Sequence, residues 1–145
     1  MIRKANVGDL EALLPLYEGY LVFYEVEVDS AKARAFLQER LTKEDSEIYL
    51  CEDGGEAVGF VQLYPLYDSL ACERLWMLND LYVKPECRRH GYGEALITQG
   101  QELARQTGAA GCILDTAKTN VPGNHLYPKM GFKQILDFNF YRWDA

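Results

Sequence analysis

The stretch Asn79-Asp80-Leu81-Tyr82-Val83-Lys84-Pro85-Glu86-Cys87-Arg88-Arg89-His90-Gly91-Tyr92-Gly93-Glu94-Ala95-Leu96 carries the reading of the fold. Residues 74–83 read as a strand that Lys84-Pro85 closes, and residues 94–106 as a helix with Ala95, Leu96, Leu103 and Ala104 on its apolar face. Gly108 stands where a C-terminal cap belongs. Between strand and helix lies a turn with two glycines, Gly91 and Gly93, which lack a Cβ and let the backbone bend sharply and approach a ligand. The first N–H groups of the helix have no partner within it, and together with the helix dipole they suit an anion such as a pyrophosphate. Arg88 and Arg89 add positive charge there. A P-loop would need Gly-Lys-Ser/Thr after the glycines, and a dinucleotide fingerprint would need a small residue where Leu96 stands. A turn that merely joins strand to helix is the other reading open at this point.

Outward from this segment the chain keeps alternating between periods of two and 3.6. Residues 2–5 form a candidate first strand. Asp9 offers an N-cap to a helix carrying Leu10, Leu13, Leu14, Tyr17 and Leu21, interrupted by Pro15. A second helix is predicted over 30–41, with Phe36, Leu37 and Leu41 inward. Strands over 47–52 and 57–64 flank the hairpin signal Asp53-Gly54-Gly55, Pro65 ends the second of them, and 67–71 read as a loop. A strand over 112–116, a short helix over 124–130 ended by Gly131, and a final period-two strand over 136–140 complete the order. That mixture implies one α/β domain over residues 1–145, a sheet with helices on its faces, with no repeat and no linker.

Composition narrows the functional classes. The 145 residues are 48% hydrophobic, enough for one packed core, and the formal net charge is −7. Broad nucleic-acid binding needs the opposite sign and is not expected. An acidic body instead favours cationic small molecules or basic peptides, although surplus acid also simply aids solubility. Apolar runs such as 12–16 are far too short to cross a bilayer, and no apolar segment follows the basic start, so a soluble, cytoplasmic protein without membrane contact is expected. Cys51, Cys72, Cys87 and Cys112 show no paired spacing, and His90 and His125 lie far apart, so reduced thiols and no metal are expected.

Beyond its glycines, the segment resembles the acyl-CoA-binding motif of the GNAT N-acetyltransferase superfamily. The family pattern Arg/Gln-x-x-Gly-x-Gly/Ala reads here Arg88-Arg89-His90-Gly91-Tyr92-Gly93, after the strand Leu81-Tyr82-Val83-Lys84-Pro85. A second family motif follows at the expected distance: Asn120, then Leu126-Tyr127-Pro128-Lys129-Met130-Gly131-Phe132. The resemblance covers essentially the whole chain and is firmest from Asp80 to Phe132. It departs from the family at Pro128 and at Gly123-Asn124-His125, which imply a helix that starts late or stays short. It implies a central mixed, mostly antiparallel twisted sheet of six to seven strands flanked by about four helices. It further implies an acetyl-CoA-dependent N-acetyltransferase acting on a primary amine, whether a small cationic amine, an amino acid or a basic peptide, by direct attack in a ternary complex.

The roles follow the motifs. The resemblance assigns coenzyme contacts to Leu81, Tyr82, Val83, Arg88, Arg89, His90, Gly91, Tyr92, Gly93, Glu94, Asn120 and Tyr127, and dimerisation, sometimes through the last strand, is common in the family. Tyr127, a phenol protonated at neutral pH, is the candidate acid for the leaving thiolate. Asp80 is the candidate catalytic carboxylate, in a sequence context resembling the polyamine and histone-like branch of the superfamily. Asn79 occupies the position of the glutamate proposed as base in polyamine N-acetyltransferases, which allows a water chain in its place. Three readings of Asp80 stay open: binding a cationic amine, relaying its proton, or pairing with a basic group. Tyr24, Glu25, Asn79 and Asp80 are the acceptor-binding candidates, with Glu27 and Asp29 nearby, since carboxylates beside an aromatic ring can hold an ammonium. A nucleophilic Cys87 or Cys72 lacks any His-plus-acid context. A non-catalytic acyl-CoA-binding module is the alternative; it would need Arg88, Gly91 and Gly93 but not Tyr127.

Overall fold

The computed structural model describes residues 1–145 and divides into two compact units, 1–115 and 116–145. In the first unit, five strands form one sheet in the order β1-β2-β3-β4-β5: β1 (Ile2–Lys4), β2 (Glu47–Asp53), β3 (Glu56–Asp68), β4 (Glu73–Val83) and β5 (Gly111–Ile113). The first three pairings are antiparallel and only β4–β5 is parallel. The sheet has five strands and not the expected six to seven. Residues 136–140, whose apolar alternation predicted a strand, take no strand conformation, because no neighbouring strand supplies the ladder that period-two spacing alone cannot provide.

Three helices belong to this unit: α1 (Leu10–Phe23), α2 (Ser30–Lys43) and α3 (Tyr92–Gln106). Asn6 caps the short 3-10 turn that precedes α1, its side chain accepting from Gly8 N, while the expected Asp9 stands at the N-cap of α1 but makes no side-chain cap bond. Asp9 is instead held by Arg3, which donates to both of its oxygens at 2.9 and 2.7 Å. Pro15 sits inside α1 without ending it. Asp29 caps α2, accepting from Lys32 N at 3.1 Å, and Leu37 and Leu41 are buried as expected, with Ala33 in place of Phe36. Phe36 stacks on Tyr17, between the two helices.

Pro65 does not end β3. The pairing with β2 stops at Leu63, so the rest of β3 has an open edge on which a proline's missing N–H costs no ladder bond. The hairpin therefore continues to Asp68 opposite Glu73. Its turn is made by the Asp68 carboxylate, which accepts from Leu70 N and Ala71 N. Conversely β5 is shorter than predicted and ends at Ile113.

The core fills both faces of the sheet. On one face, Leu13 and Leu16 of α1 and Leu37 of α2 meet Leu50 and Phe60, all at most 1% exposed. On the other, α3 lies so close that a Cβ on Gly100 would come within 3.0 Å of Leu63 and 3.7 Å of Leu78. Burying β3 from both sides explains its unbroken run of inaccessible residues from Val58 to Leu63.

In the second unit, α4 (Val121–Lys129) starts earlier than the predicted 124, because Asn120 caps it by accepting from Gly123 N at 3.2 Å and Pro122 suits its first turn. Gly131, at φ +90°, terminates it.

Candidate active site

The site in the first unit is built around an irregularity in β4. Leu78 pairs with Leu63 and Asp80 with Gln62, so Asn79 is an extra residue with no cross-strand partner. Such a bulge leaves one residue's backbone groups outside the ladder. Here the Asn79 carbonyl accepts the Tyr20 hydroxyl of α1 at 3.3 Å. Beyond Met77, β5 no longer pairs with β4, so the β5-facing edge of residues 78–83 carries no strand.

Asp80 points to the α1 face and is 4% exposed. Gln62 Nε2 donates to its Oδ2 at 2.5 Å, Asn79 Nδ2 donates to its Oδ1 at 2.9 Å, and the Tyr20 hydroxyl also hydrogen-bonds to it. Burial raises its pKa above the usual carboxylate range, and those three neutral donors pull it part of the way back. In turn the carboxylate contributes to raising Tyr17, Tyr20 and Tyr64, whose first cause is burial. The sequence reading missed Gln62, the Ser46 hydroxyl that donates to it, and these tyrosines. The legible signal was Gln62 itself, a polar residue inside the apolar run 57–63.

Tyr82, two residues on, reaches the same face: a Cβ on Gly19 of α1 would meet its hydroxyl at 2.5 Å, so any larger residue there would have to displace the Tyr82 ring. Arg88 donates from Nε to the Val83 carbonyl at 3.0 Å and lies 5.7 Å from the ring centres of both Tyr82 and Phe23. This guanidinium ties the end of α1 to the end of β4. Tyr24, next to Phe23, packs edge-on against Tyr20 at 5.1 Å, and Glu25 follows in a left-handed conformation at φ +58°. Tyr20, Tyr24, Asn79, Asp80, Tyr82 and Arg88 are thereby brought to one region at the end of α1.

The glycine turn leads into α3, which starts at Tyr92, two residues before the predicted start. Arg89 and Gly91 both take left-handed conformations, at φ +67° and +84°. Such a backbone turns successive N–H groups toward one side and forms a concavity for anions. Gly91 is the N-cap of α3 and brings no capping side chain, so none competes for the first N–H groups of that helix, including those of Gly93 and Glu94. His90 Nδ1 is 3.2 Å from the Cys87 carbonyl, and the Tyr92 hydroxyl donates to Asp53 at 2.7 Å, pinning the turn to the β2–β3 hairpin. An unpaired strand edge running into an uncapped, left-handed turn fits an elongated ligand with amide groups along its length and an anionic end.

Asn120 and Tyr127 belong to the second unit. The Asn120 side chain caps α4 and donates to Thr116 Oγ1 at 2.9 Å. The Tyr127 ring meets Phe132 edge-on at 6.0 Å, and its carbonyl accepts from Phe132 N.

Residues 13–132 match the model of the acetyltransferase (GNAT) family. The chain belongs to that family. As a GNAT protein it is an acetyltransferase, and its relatives agree. It is 37% identical over 140 residues to the uncharacterized N-acetyltransferase YhfO of Bacillus subtilis (strain 168), covering 97% of this chain and 94% of that one. A crystal structure of a probable acetyltransferase superposes with a TM-score of 0.92 at 33% identity, covering 100% of this chain and 98% of that one. The structure of aminoglycoside N-acetyltransferase AAC(6')-Iy in complex with CoA, at 22% identity, shares the fold with a TM-score of 0.85 over 100% of this chain and 95% of that one. No helix of the GNAT chain is long and apolar enough to cross a membrane.

Proposed function

We propose that this GNAT protein transfers an acetyl group from acetyl-CoA to a primary amine, by direct attack within a ternary complex, and that residues 1–145 work as one catalytic domain in the cytoplasm. The observation that carries this reading is the open β4 edge at residues 78–83 leading into the left-handed turn at Arg89 and Gly91. Backbone groups at Leu81 and Val83 bond the pantetheine amides, Tyr82 supports the same edge, and the N–H groups from Arg89 to Glu94, with Arg88, hold the pyrophosphate. The CoA-bound relative of the same fold supports the choice of ligand. Asn120 adds a coenzyme contact.

Acetyl-CoA supplies an activated thioester, and the residues of the chain manage the protons. Asp80 receives the proton that the acceptor's ammonium must lose, directly or through water; its upward shift suits a base working nearer neutrality than an ordinary aspartate. Once the amine nitrogen has bonded to the carbonyl carbon and the carbon–sulfur bond breaks, Tyr127 gives its phenolic proton to the departing thiolate. Tyr24, Glu25 and Asn79 line the acceptor's approach. The net charge of −7 and the carboxylates Glu25, Glu27 and Asp29 favour a small cationic amine or a basic peptide over an anionic acceptor.

Thiol release from acetyl-CoA, measured separately with spermidine, kanamycin, a free amino acid and a lysine-containing peptide, tests the reading. Turnover with at least one of them is expected. Tyr127→Phe is expected to lower kcat about 100-fold, within the range for one general acid, with the KM for acetyl-CoA little changed. Coenzyme binding without transfer to any amine would favour the non-catalytic alternative. We further propose a homodimer in which the exposed tail that follows Gly131 is covered by a second copy.

A further inference from the structure

Ser46, Gln62 and Asp80 are the buried polar side chains of this molecule, at 7%, 0% and 4% exposure, and they form one hydrogen-bonded chain that runs from the entry of β2 through β3 to β4. Ser46, just before β2, donates its hydroxyl proton to Gln62 Oε1 at 2.8 Å; Gln62, on β3, donates from Nε2 to Asp80 on β4 at 2.5 Å. Interior polar groups on a strand packed from both faces are costly compared with apolar ones, so fold stability alone does not account for them.

We propose that Gln62 and Ser46 are positioning residues for the reaction: Ser46 locks the Gln62 amide in one orientation, and the locked amide holds the Asp80 carboxylate ionised and aimed. The inference rests on the reading of Asp80 as the group that takes the ammonium's proton. Its logic is directional. A carboxylate only accepts, so the amide must present N–H to Asp80 and its oxygen to the other side. That oxygen then requires a donor, and the Ser46 hydroxyl has one proton to give. Without the hydroxyl the amide is free to turn over and place its oxygen against the carboxylate, a contact that disfavours the ionised form. Asp80 has no cationic partner to compensate. The titratable groups around it are the phenols Tyr17 and Tyr20 from α1 and Tyr64 from β3, and the remaining donor is Asn79 on its own strand. Ser46 thus acts on the acceptor's proton from two side chains away.

The test follows the Asp80 carboxyl carbon by NMR against pH in the full chain labelled with 13C-aspartate, assigned with Asp80→Asn. The titration midpoint is expected to rise in Ser46→Ala, to rise further in Gln62→Met, by roughly tenfold in proton affinity, and to return in Ser46→Thr. The Ser46→Ala result decides by itself should Gln62→Met fail to fold. The acidic limb of kcat/KM, measured with acetyl-CoA and the most active of spermidine, kanamycin and a lysine-containing peptide, is expected to move with the midpoint while the KM for acetyl-CoA stays put. An unmoved midpoint in Ser46→Ala, or a rate profile that does not follow it, overturns the proposal. Full activity in Asp80→Asn sinks the assignment of Asp80 instead, and with it the positioning role, whatever the midpoints show. Absence of turnover with every amine sinks the functional reading itself, whereas the midpoints still report whether Ser46 controls the carboxylate.

Discussion

At the scale of single residues, Asp80 shows how a site is set against stability. Burial lifts its pKa above the ordinary carboxylate value, so the folded chain binds this proton more tightly than the unfolded chain. Its contribution to stability is therefore fully present below the ordinary carboxylate range and declines as pH rises through the folded-state pKa. Above that window the ionised, buried group is a net cost. Asp80→Asn keeps the shape and removes the charge, so its urea midpoint is expected to exceed that of the wild type at pH 8 and to match it at pH 3. A wild type that is the more stable at pH 8 would show that the three donors outweigh burial. Asp80 was legible in the sequence because it stands beside a recognisable motif. Gln62 left only the mark of a polar residue in an apolar run, which names no partner, and Tyr20, one tyrosine among ten, left none.

At the scale of elements, most of the chain could be read, because strands and helices here follow their own periods and turn residues mark the joins. The register of β4 could not. Strict alternation along β4 would place Trp76, Leu78, Asp80 and Tyr82 on one face. In the structure Trp76 donates to Thr107 at the end of α3 and Leu78 lies by Gly100, whereas Asp80 and Tyr82 face α1. The extra residue Asn79 makes the switch, and a bulge leaves no mark in hydrophobicity. Deleting Asn79 would let Leu78 and Asp80 alternate as in a regular strand. Such a variant is expected to fold, as judged by circular dichroism, and to lose roughly tenfold or more in acetyl transfer, since the displaced Asn79 carbonyl and amide vanish from the site. Gly91 poses the opposite case: its surroundings are open, but its φ of +84° is strained for any side chain. Gly91→Ala is expected to cost about 1–2 kcal/mol in urea unfolding and to weaken CoA binding measured by calorimetry. Loss of stability with unchanged CoA affinity would detach the turn from the ligand.

At the scale of the whole molecule, the tail poses a question that a single chain does not answer. Ile135, Leu136, Phe138, Phe140, Tyr141 and Trp143 are between 57% and 91% exposed, a density of large apolar groups that a soluble monomer rarely presents to water. Leu136, Phe138 and Phe140 alternate, so one side of an extended strand would carry all three, and a strand of this kind gains both ladder hydrogen bonds and apolar burial only by joining another sheet. A second copy offers that partner to both chains at once through a two-fold axis. Sedimentation equilibrium at micromolar concentration is therefore expected to give about twice the chain mass of 16.6 kDa, with a melting temperature that rises with protein concentration. A chain ending at Lys133, and the double variant Phe138→Lys with Phe140→Lys, should both sediment as monomers; the full-length substitution separates loss of apolar contact from loss of backbone. A wild type that stays monomeric, or a lysine variant that still dimerises, removes the tail from the interface and leaves its aromatic residues to a different partner.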